Sequence, residues 1–246
     1  AIDLHLAGMS RDPTYLHHLR SLCLRYGLTI GYAGSGSFVG PARESGARMA
    51  QGYQDVDAAA LLGASLLRAF ARYKWPDVVQ EQEALWGPMI ESLRALSDYA
   101  QQRGVGVALQ NHNNCSFAMT AHQVLRAIKE VDHENFSFVM DTGQWLGAIG
   151  SDPRGEWDPG VDLYTDYLEP TAPYTTHVRA KIYKIDDGHE VWLDYPRILR
   201  ILRKNRFNGT IGLVFELGNR NVSDTKTCIR LAVNHLREVI AASYDS

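Results

Sequence analysis

Short apolar segments with the character of β-strands alternate with longer, periodic segments with the character of helices along the whole chain. Seven strand-like segments are apparent: Ile2–Leu6, Leu28–Ala33, Ser65–Ala71, Val105–Gln110, Phe136–Met140, Tyr174–Ile182 and Ile211–Phe215. Helices of ten residues or more lie between them, and this alternation is typical of βαβ units with parallel strands. The sequence therefore predicts an α/β fold built on a parallel sheet.

A chain of 246 residues without a compositional break or a linker predicts one domain spanning residues 1–246. A (β/α)8 TIM barrel has about 250 residues, so the length fits that fold. The alternative is an open doubly wound sheet, which usually carries a GxGxxG turn after its first strand. The glycines of the segment 34–40 have a different spacing, and we interpret this segment as a barrel loop.

Composition excludes several classes of protein. Hydrophobic residues make up 45% of the chain, which excludes a disordered protein. The chain contains no run of about 18 apolar residues, so the sequence predicts no membrane-spanning helix. The formal net charge of −3 argues against a nucleic-acid partner, which would need a basic face. Cys23, Cys115 and Cys228 lie far apart without a CxxC motif, so we expect free thiols in a cytoplasmic protein.

Polar side chains gather where four of the predicted strands end. They are Gln110, His112, Asp141, His177, Arg179, Lys181 and Glu216. Active sites of TIM barrels lie at the carboxyl ends of the strands, so this distribution predicts a polar pocket. Side chains alternate along a strand, which places His177, Arg179 and Lys181 on one face.

Each of these residues also has a structural interpretation. Asp141 could cap the following turn, and Gln110 could satisfy backbone groups of its loop. Asp141 and Glu216 each follow an apolar run, where a carboxylate contributes little to packing, and this favours a functional role. Trp145 could offer a flat face to a sugar, with core packing as the alternative.

Four segments resemble the xylose isomerase-like TIM-barrel superfamily: Val105–His112, Met140–Gly143, His177–Lys181 and Leu213–Glu216. That superfamily includes sugar isomerases and epimerases, inosose dehydratases and the second structural family of AP endonucleases. The resemblance implies eight strands, with Ile2–Leu6 as the second. We therefore expect a first β/α unit of about 30 residues upstream of Ala1.

The resemblance also implies one divalent cation (Mg, Mn, Co or Zn) bound by Glu, Asp, His and Glu. The Asp matches Asp141 and the last Glu matches Glu216, but Gln110 replaces the first Glu and Arg179 replaces the His. A glutamine still offers an oxygen to a hard cation, whereas arginine has no lone pair to donate. The predicted ligands are thus Gln110, Asp141 and Glu216, and the resemblance leaves open whether a metal is bound.

Family epimerases move a proton next to a carbonyl, which implies a sugar or cyclitol isomerase or epimerase as the leading function. Glu216 is the predicted base, with Lys181 and Arg179 as cations for the enolate, because Gln110 lacks basicity. His112, Trp145 and His177 are the predicted substrate-binding residues. A keto-sugar lyase or dehydratase, and a non-catalytic sugar-binding protein without metal, remain as alternatives. We expect a small-molecule substrate as the partner and no association with a membrane. Whether the protein forms a homo-oligomer is left open.

Overall fold

Parallel strands and helices alternate in the computed structural model, which describes residues 1–149, 157–215 and 225–244. The chain divides into two compact units, Ala1–Val139 and Met140–Ser246. The α/β alternation predicted from the sequence is therefore confirmed in the described ranges.

Strands of the first unit lie side by side in chain order, and every neighbouring pair is parallel. Its elements are β1 (Ile2–His5), α1 (Pro13–Arg25), β2 (Ile30–Ser37), α2 (Ser45–Leu62), β3 (Leu66–Phe70), α3 (Val79–Gln101), β4 (Gly106–Gln110), α4 (Ala121–Val131) and β5 (Phe136–Asp141). β5 crosses the boundary, so its last two residues belong to the second unit.

Local sequence signals set the ends of several helices. Asp12 accepts a hydrogen bond from Tyr15 N at the start of α1, and Pro13 occupies the first helical position. Thr120 and Gln123 form a reciprocal capping box at the start of α4. Gly63 ends α2 in the left-handed conformation, with φ +75°.

β2 runs four residues beyond the predicted strand. The expectation of a loop at the start of the segment 34–40 is wrong, because Ser37 pairs with Phe70 of β3. Gly34 makes the close packing of this strand possible, since a Cβ there would lie 2.4 Å from Nη2 of Arg68. The absence of a side chain at Gly34 thus allows close packing within the sheet. The sequence predicted a loop here because glycine is also common in loops.

The second unit contains the end of β5 and the elements that follow it. They are α5 (Glu169–Thr171), β6 (Thr175–Ile182), β7 (Ile185–Asp186), β8 (His189–Glu190), α6 (Tyr195–Lys204), β9 (Thr210–Phe215) and α7 (Thr225–Tyr244). β6 is parallel to β9, and β7 and β8 form a small antiparallel hairpin. Two-residue strands carry no periodicity, so the sequence did not predict this hairpin.

Within the described ranges, no helix combines the length and the hydropathy that a membrane-spanning segment needs.

Candidate active site

Asp141 is the last residue of β5, and its carboxylate is fully buried. Its Oδ2 accepts a hydrogen bond from Nη1 of Arg179 at 3.1 Å and lies 3.7 Å from Nζ of Lys181. Its Oδ1 accepts a hydrogen bond from the backbone N–H of Gly143 at 3.2 Å. One buried carboxylate therefore has two cations on one oxygen and a peptide dipole on the other.

Both cations come from β6, whose alternation places residues 179 and 181 on the same face. The arrangement is well shielded from water, since the side chains of Arg179 and Lys181 are 13% and 6% exposed. Charges that are shielded in this way interact more strongly than a surface ion pair does. The cluster can thus offer a concentrated positive charge to an anionic or partly anionic group.

A network of hydroxyl groups fixes the backbone that carries the two cations. Thr142 N donates to the carbonyl of Arg179 at 3.1 Å, and Thr142 Oγ1 accepts from Lys181 N at 3.0 Å. Tyr195 OH donates to the carbonyl of Lys181 at 2.6 Å and lies 3.3 Å from Thr142 Oγ1. Burial raises the pKa of Tyr195 well above its usual value, so its hydroxyl stays a donor.

Gly143 packs against Tyr183, the residue that directly follows β6. Tyr183 OH donates to the carbonyl of Gly143 at 3.0 Å. A Cβ on Gly143 would lie 2.4 Å from the hydroxyl oxygen of Tyr183. The turn after Asp141 therefore requires a residue without a side chain at this position.

The buried carboxylate of Glu190 organises the loop between β6 and α6. Its Oε2 accepts from Tyr183 N at 2.7 Å and Lys184 N at 3.0 Å. Its Oε1 accepts from Trp192 N at 2.8 Å and Leu193 N at 3.3 Å. Burial raises the pKa of Glu190 above its usual value, while the four backbone donors act in the opposite direction. This carboxylate supports the segment that carries Tyr183.

The first unit has its own buried polar cluster, centred on Arg68 of β3. Its Nη1 donates to Oε1 of Gln110 at 3.0 Å, and its Nη2 lies 3.0 Å from Nδ1 of His5. Its guanidinium carbon lies 4.0 Å from the centre of the Phe70 ring, within range of a cation–π interaction. Sequence reasoning missed Arg68, although a charged residue inside an apolar strand was a usable signal.

Residues 3–239 match the sequence model of the family described as the xylose isomerase-like TIM barrel. The chain belongs to this family.

Solved structures show the same fold for this xylose isomerase-like protein. A xylose isomerase domain protein from Planctomyces limnophilus superposes with a TM-score of 0.73 at 14% identity, over 99% of this chain and 88% of that one. A D-psicose 3-epimerase determined with D-fructose gives 0.69 at 16% identity, over 98% and 87%. An L-ribulose 3-epimerase gives 0.67 at 17% identity, over 95% and 82%. No curated protein matches the chain by sequence.

The TIM-barrel fold predicted from the sequence is thus confirmed. The single domain 1–246 and the β/α unit upstream of Ala1 stay predictions.

The structure of this xylose isomerase-like chain brings three of the predicted site residues together, namely Asp141, Arg179 and Lys181. Gln110 ends β4 in the first unit, where it bonds to Arg68. Glu216 lies outside the described residues, so its roles as base and metal ligand stay predictions.

The three predicted substrate-binding residues are all buried. His112 Nδ1 lies 3.0 Å from the carbonyl of Asn114. His177 lies on β6, two residues before Arg179. Trp145 stacks on Tyr167 with ring centres 5.0 Å apart, which covers one face of its indole. Their binding roles stay predictions.

The described residues do not fit a divalent cation. No three side chains of His, Cys, Asp or Glu in the described ranges lie close enough together to hold a metal ion. Oδ2 of Asp141 already has two cations beside it, Oδ1 accepts a hydrogen bond from Gly143 N, and the Gln110 oxygen accepts one from Arg68. A cation approaching Oδ2 of Asp141 or the Gln110 oxygen at about 2–2.6 Å would meet like charge.

Proposed function

We propose that this protein is an enzyme of the isomerase or epimerase type that moves a proton next to the carbonyl of a sugar or cyclitol. The observation that carries the proposal is the convergence of Arg179 and Lys181 on Asp141 at the carboxyl end of β5. Enzymes with this fold have their active sites at that end of the strands. Family membership and the fold similarity to sugar 3-epimerases support the choice of reaction.

The reaction begins when a base takes the proton from the carbon beside the carbonyl. The electron pair of the broken C–H bond forms a carbon–carbon double bond, and the carbonyl oxygen becomes an enediolate oxygen. Return of the proton to the opposite face of the same carbon gives an epimer, and its return to the neighbouring carbon gives an isomer. Glu216, outside the described residues, is our candidate for the base.

Polar side chains near the reacting carbon would bind the hydroxyl groups of the substrate. His177 is the first candidate, because it precedes Arg179 and Lys181 on the same face of β6. We keep His112 and Trp145 as further candidates for substrate binding.

Proton exchange with solvent tests this function directly. The protein is incubated in D2O with ketopentoses, ketohexoses and inososes, and NMR follows deuterium incorporation beside the carbonyl together with any new epimer or isomer. We expect Lys181→Met to slow exchange by about 10²–10³-fold, the usual effect of losing one donor to a developing oxyanion.

Lys184→Met is the matched control, since its ammonium lies 4.0 Å from Asp186 and is partly exposed. This variant should exchange at the wild-type rate. Absence of exchange with every substrate of the panel would contradict the proposed function.

One observation favours a dehydratase as the second candidate. The amide of Gln110 has no useful basicity, so a reaction with a base on each side of the carbon is disfavoured. Elimination needs a single base to remove the proton, after which the β-hydroxyl group leaves as water once it is protonated. In the same NMR experiment, a product lighter by one water would select the dehydratase.

We also propose a cytoplasmic location. Cys23 and Cys115 are free thiols, the first buried and the second exposed. Free thiols are typical of a reducing compartment.

A further inference from the structure

Two oxygens that the family resemblance assigns to a divalent cation are each occupied by a cation of the chain itself. In the first unit, Arg68 donates to Oε1 of Gln110 at 3.0 Å. In the second unit, Arg179 donates to Oδ2 of Asp141 at 3.1 Å, with Lys181 at 3.7 Å from the same atom. A cationic side chain of the protein thus contacts each of these two predicted ligands.

The cations at Asp141 cannot easily make way for an ion. A guanidinium keeps its proton at any physiological pH, and both cationic side chains are largely buried. An arriving ion would have to expel charges that already neutralise the carboxylate. Asp141 therefore gains more from Arg179 and Lys181, which are always present, than from a ligand that must displace them.

Arg179 also stands at the position where the resemblance places a histidine ligand. Since a guanidinium has no lone pair, this residue repels a cation where a histidine would bind it. Its Nε is buried and makes no hydrogen bond to any residue in the described parts of the chain. Arg179 thus keeps a donor that can serve an anionic oxygen.

We propose that the Arg179 guanidinium and the Lys181 ammonium replace the divalent cation of related enzymes and bind the enediolate oxygen of the substrate. This inference rests on the proposed function for its substrate. In the proton step, the electron pair of the C–H bond forms the carbon–carbon double bond, and the π pair of the carbonyl group moves onto its oxygen, which accepts hydrogen bonds from the two cations. No oxidant or reductant is needed, and neither cation gives up its proton.

Metal content tests the inference without any substrate. The wild-type protein is equilibrated with MnCl2 or CoCl2 and desalted, its metal is measured by elemental analysis, and its melting temperature is recorded with and without the ion. A ligand that binds only the native state raises the melting temperature. Because we expect no ion to bind, we expect no stoichiometric metal and no shift in the melting temperature. One tightly held equivalent of metal in the wild type would overturn the proposal, and this measurement needs no variant.

Arg179→His provides the converse test. A neutral imidazole in place of the guanidinium restores a ligand and removes a repelling charge, so we expect Mn²⁺ or Co²⁺ affinity to rise by at least about tenfold. Arg200→His, which introduces the same imidazole at an exposed position of α6, should leave affinity unchanged. A folded Arg179→His protein with no gain in affinity would overturn the proposal.

These results are separable from the proposed function. Failure of deuterium exchange on every sugar would remove the substrate while the metal measurements would still establish the site as cationic. Exchange that persists at the wild-type rate in excess chelator would support both, and exchange that stops with chelator would overturn the metal-free inference alone.

Discussion

Asp55 is a buried residue of α2 whose carboxylate joins three segments of the first unit. It accepts hydrogen bonds from Nη2 of Arg11 at 2.7 Å, Nε2 of Gln51 at 2.9 Å and Oγ of Ser35 at 2.6 Å. Asp55→Asn removes the charge and directs an amide N–H group at these donors. We expect the free energy of unfolding in urea to fall by about 3 kcal/mol, because one partner of a buried ion pair is lost.

Asp57, two residues further along α2, supplies the matched control. Its carboxylate pairs with Arg103 at 2.5 Å but is 49% exposed. Asp57→Asn should cost less than about 1 kcal/mol, since water screens such a pair. Equal losses for the two variants would show that burial does not set the strength of the Asp55 cluster.

Gly143 and Gly46 should respond to alanine in opposite directions. The Cβ of Gly143→Ala would overlap Tyr183 OH, so we expect a loss of about 1–3 kcal/mol from overpacking. Gly46 lies in the first turn of α2 with nothing within 4 Å of its added Cβ, so Gly46→Ala should stabilise by about 0.5 kcal/mol. Thermal melts of both variants check the pair, and a stable Gly143→Ala protein would contradict the close approach.

The placement of single residues was predictable from the sequence where strand position alone determines it, whereas their roles stay predictions. Asp141, Arg179 and Lys181 belong to this class, because a charged residue at or near the carboxyl end of an apolar parallel strand is expected to face the site at that end of the barrel. Arg68 and Tyr195 were missed, since their roles depend on partners 42 and 14 residues away along the chain, Gln110 and Lys181. The charge of Arg68 inside an apolar strand signals a buried polar role, but no local pattern identifies the distant partner of either residue.

The hairpin of β7 and β8 with its flanking loop depends on one carboxylate, that of Glu190. Glu190→Gln replaces one acceptor oxygen by an N–H2 group that faces two backbone donors. We expect the free energy of unfolding in urea to fall by about 2–3 kcal/mol, the cost of unsatisfied buried donors beside lost charge-assisted bonds. Glu169→Gln, on the exposed side of α5, should change it by less than about 0.5 kcal/mol.

α7 carries a buried histidine, His235, that makes the element sensitive to acid. Burial, and secondarily the nearby His189, lower the pKa of His235 from 6.5, while Glu238 opposes this shift. The unfolded chain therefore binds the proton more readily than the native one, so stability is full above about pH 6.5 and falls as pH drops through the native pKa.

Replacing His235 removes this acid sensitivity. His235→Gln should flatten the loss of stability between about pH 7 and pH 5, measured by urea unfolding at several pH values. His122→Gln, at an exposed position of α4, should leave the pH profile unchanged. An unaltered profile for His235→Gln would assign the acid sensitivity to other groups.

Elements were predictable as far as their periodicity reached. The regular apolar face of α6 and its N-cap Asp194 account for its bounds, Tyr195 and Lys204, from local sequence alone. β2 was predicted too short, since Gly34 and Ser37 carry turn propensity that pairing with β3 overrides. Tertiary packing decides such ends.

The whole chain is slightly acidic, which bears on the AP endonucleases that share its fold superfamily. Binding DNA requires clustered Lys and Arg to neutralise phosphates, whereas this protein has 25 such residues against 28 acidic ones. We expect no cleavage of an end-labelled duplex with one abasic site, with or without Mg²⁺, Mn²⁺ or Zn²⁺, on a denaturing gel. Strand scission at the abasic position would contradict this expectation.

The positive charges beside Asp141 are part of the polypeptide, and this affects how the protein matures in a cell. If Arg179 and Lys181 replace the metal ion, as we propose, the site is complete as soon as folding ends, with no ion to acquire from a limited supply. Synthesis and folding alone then set the amount of competent protein. Cells starved of manganese or cobalt would keep the same competent fraction as cells grown with abundant trace elements.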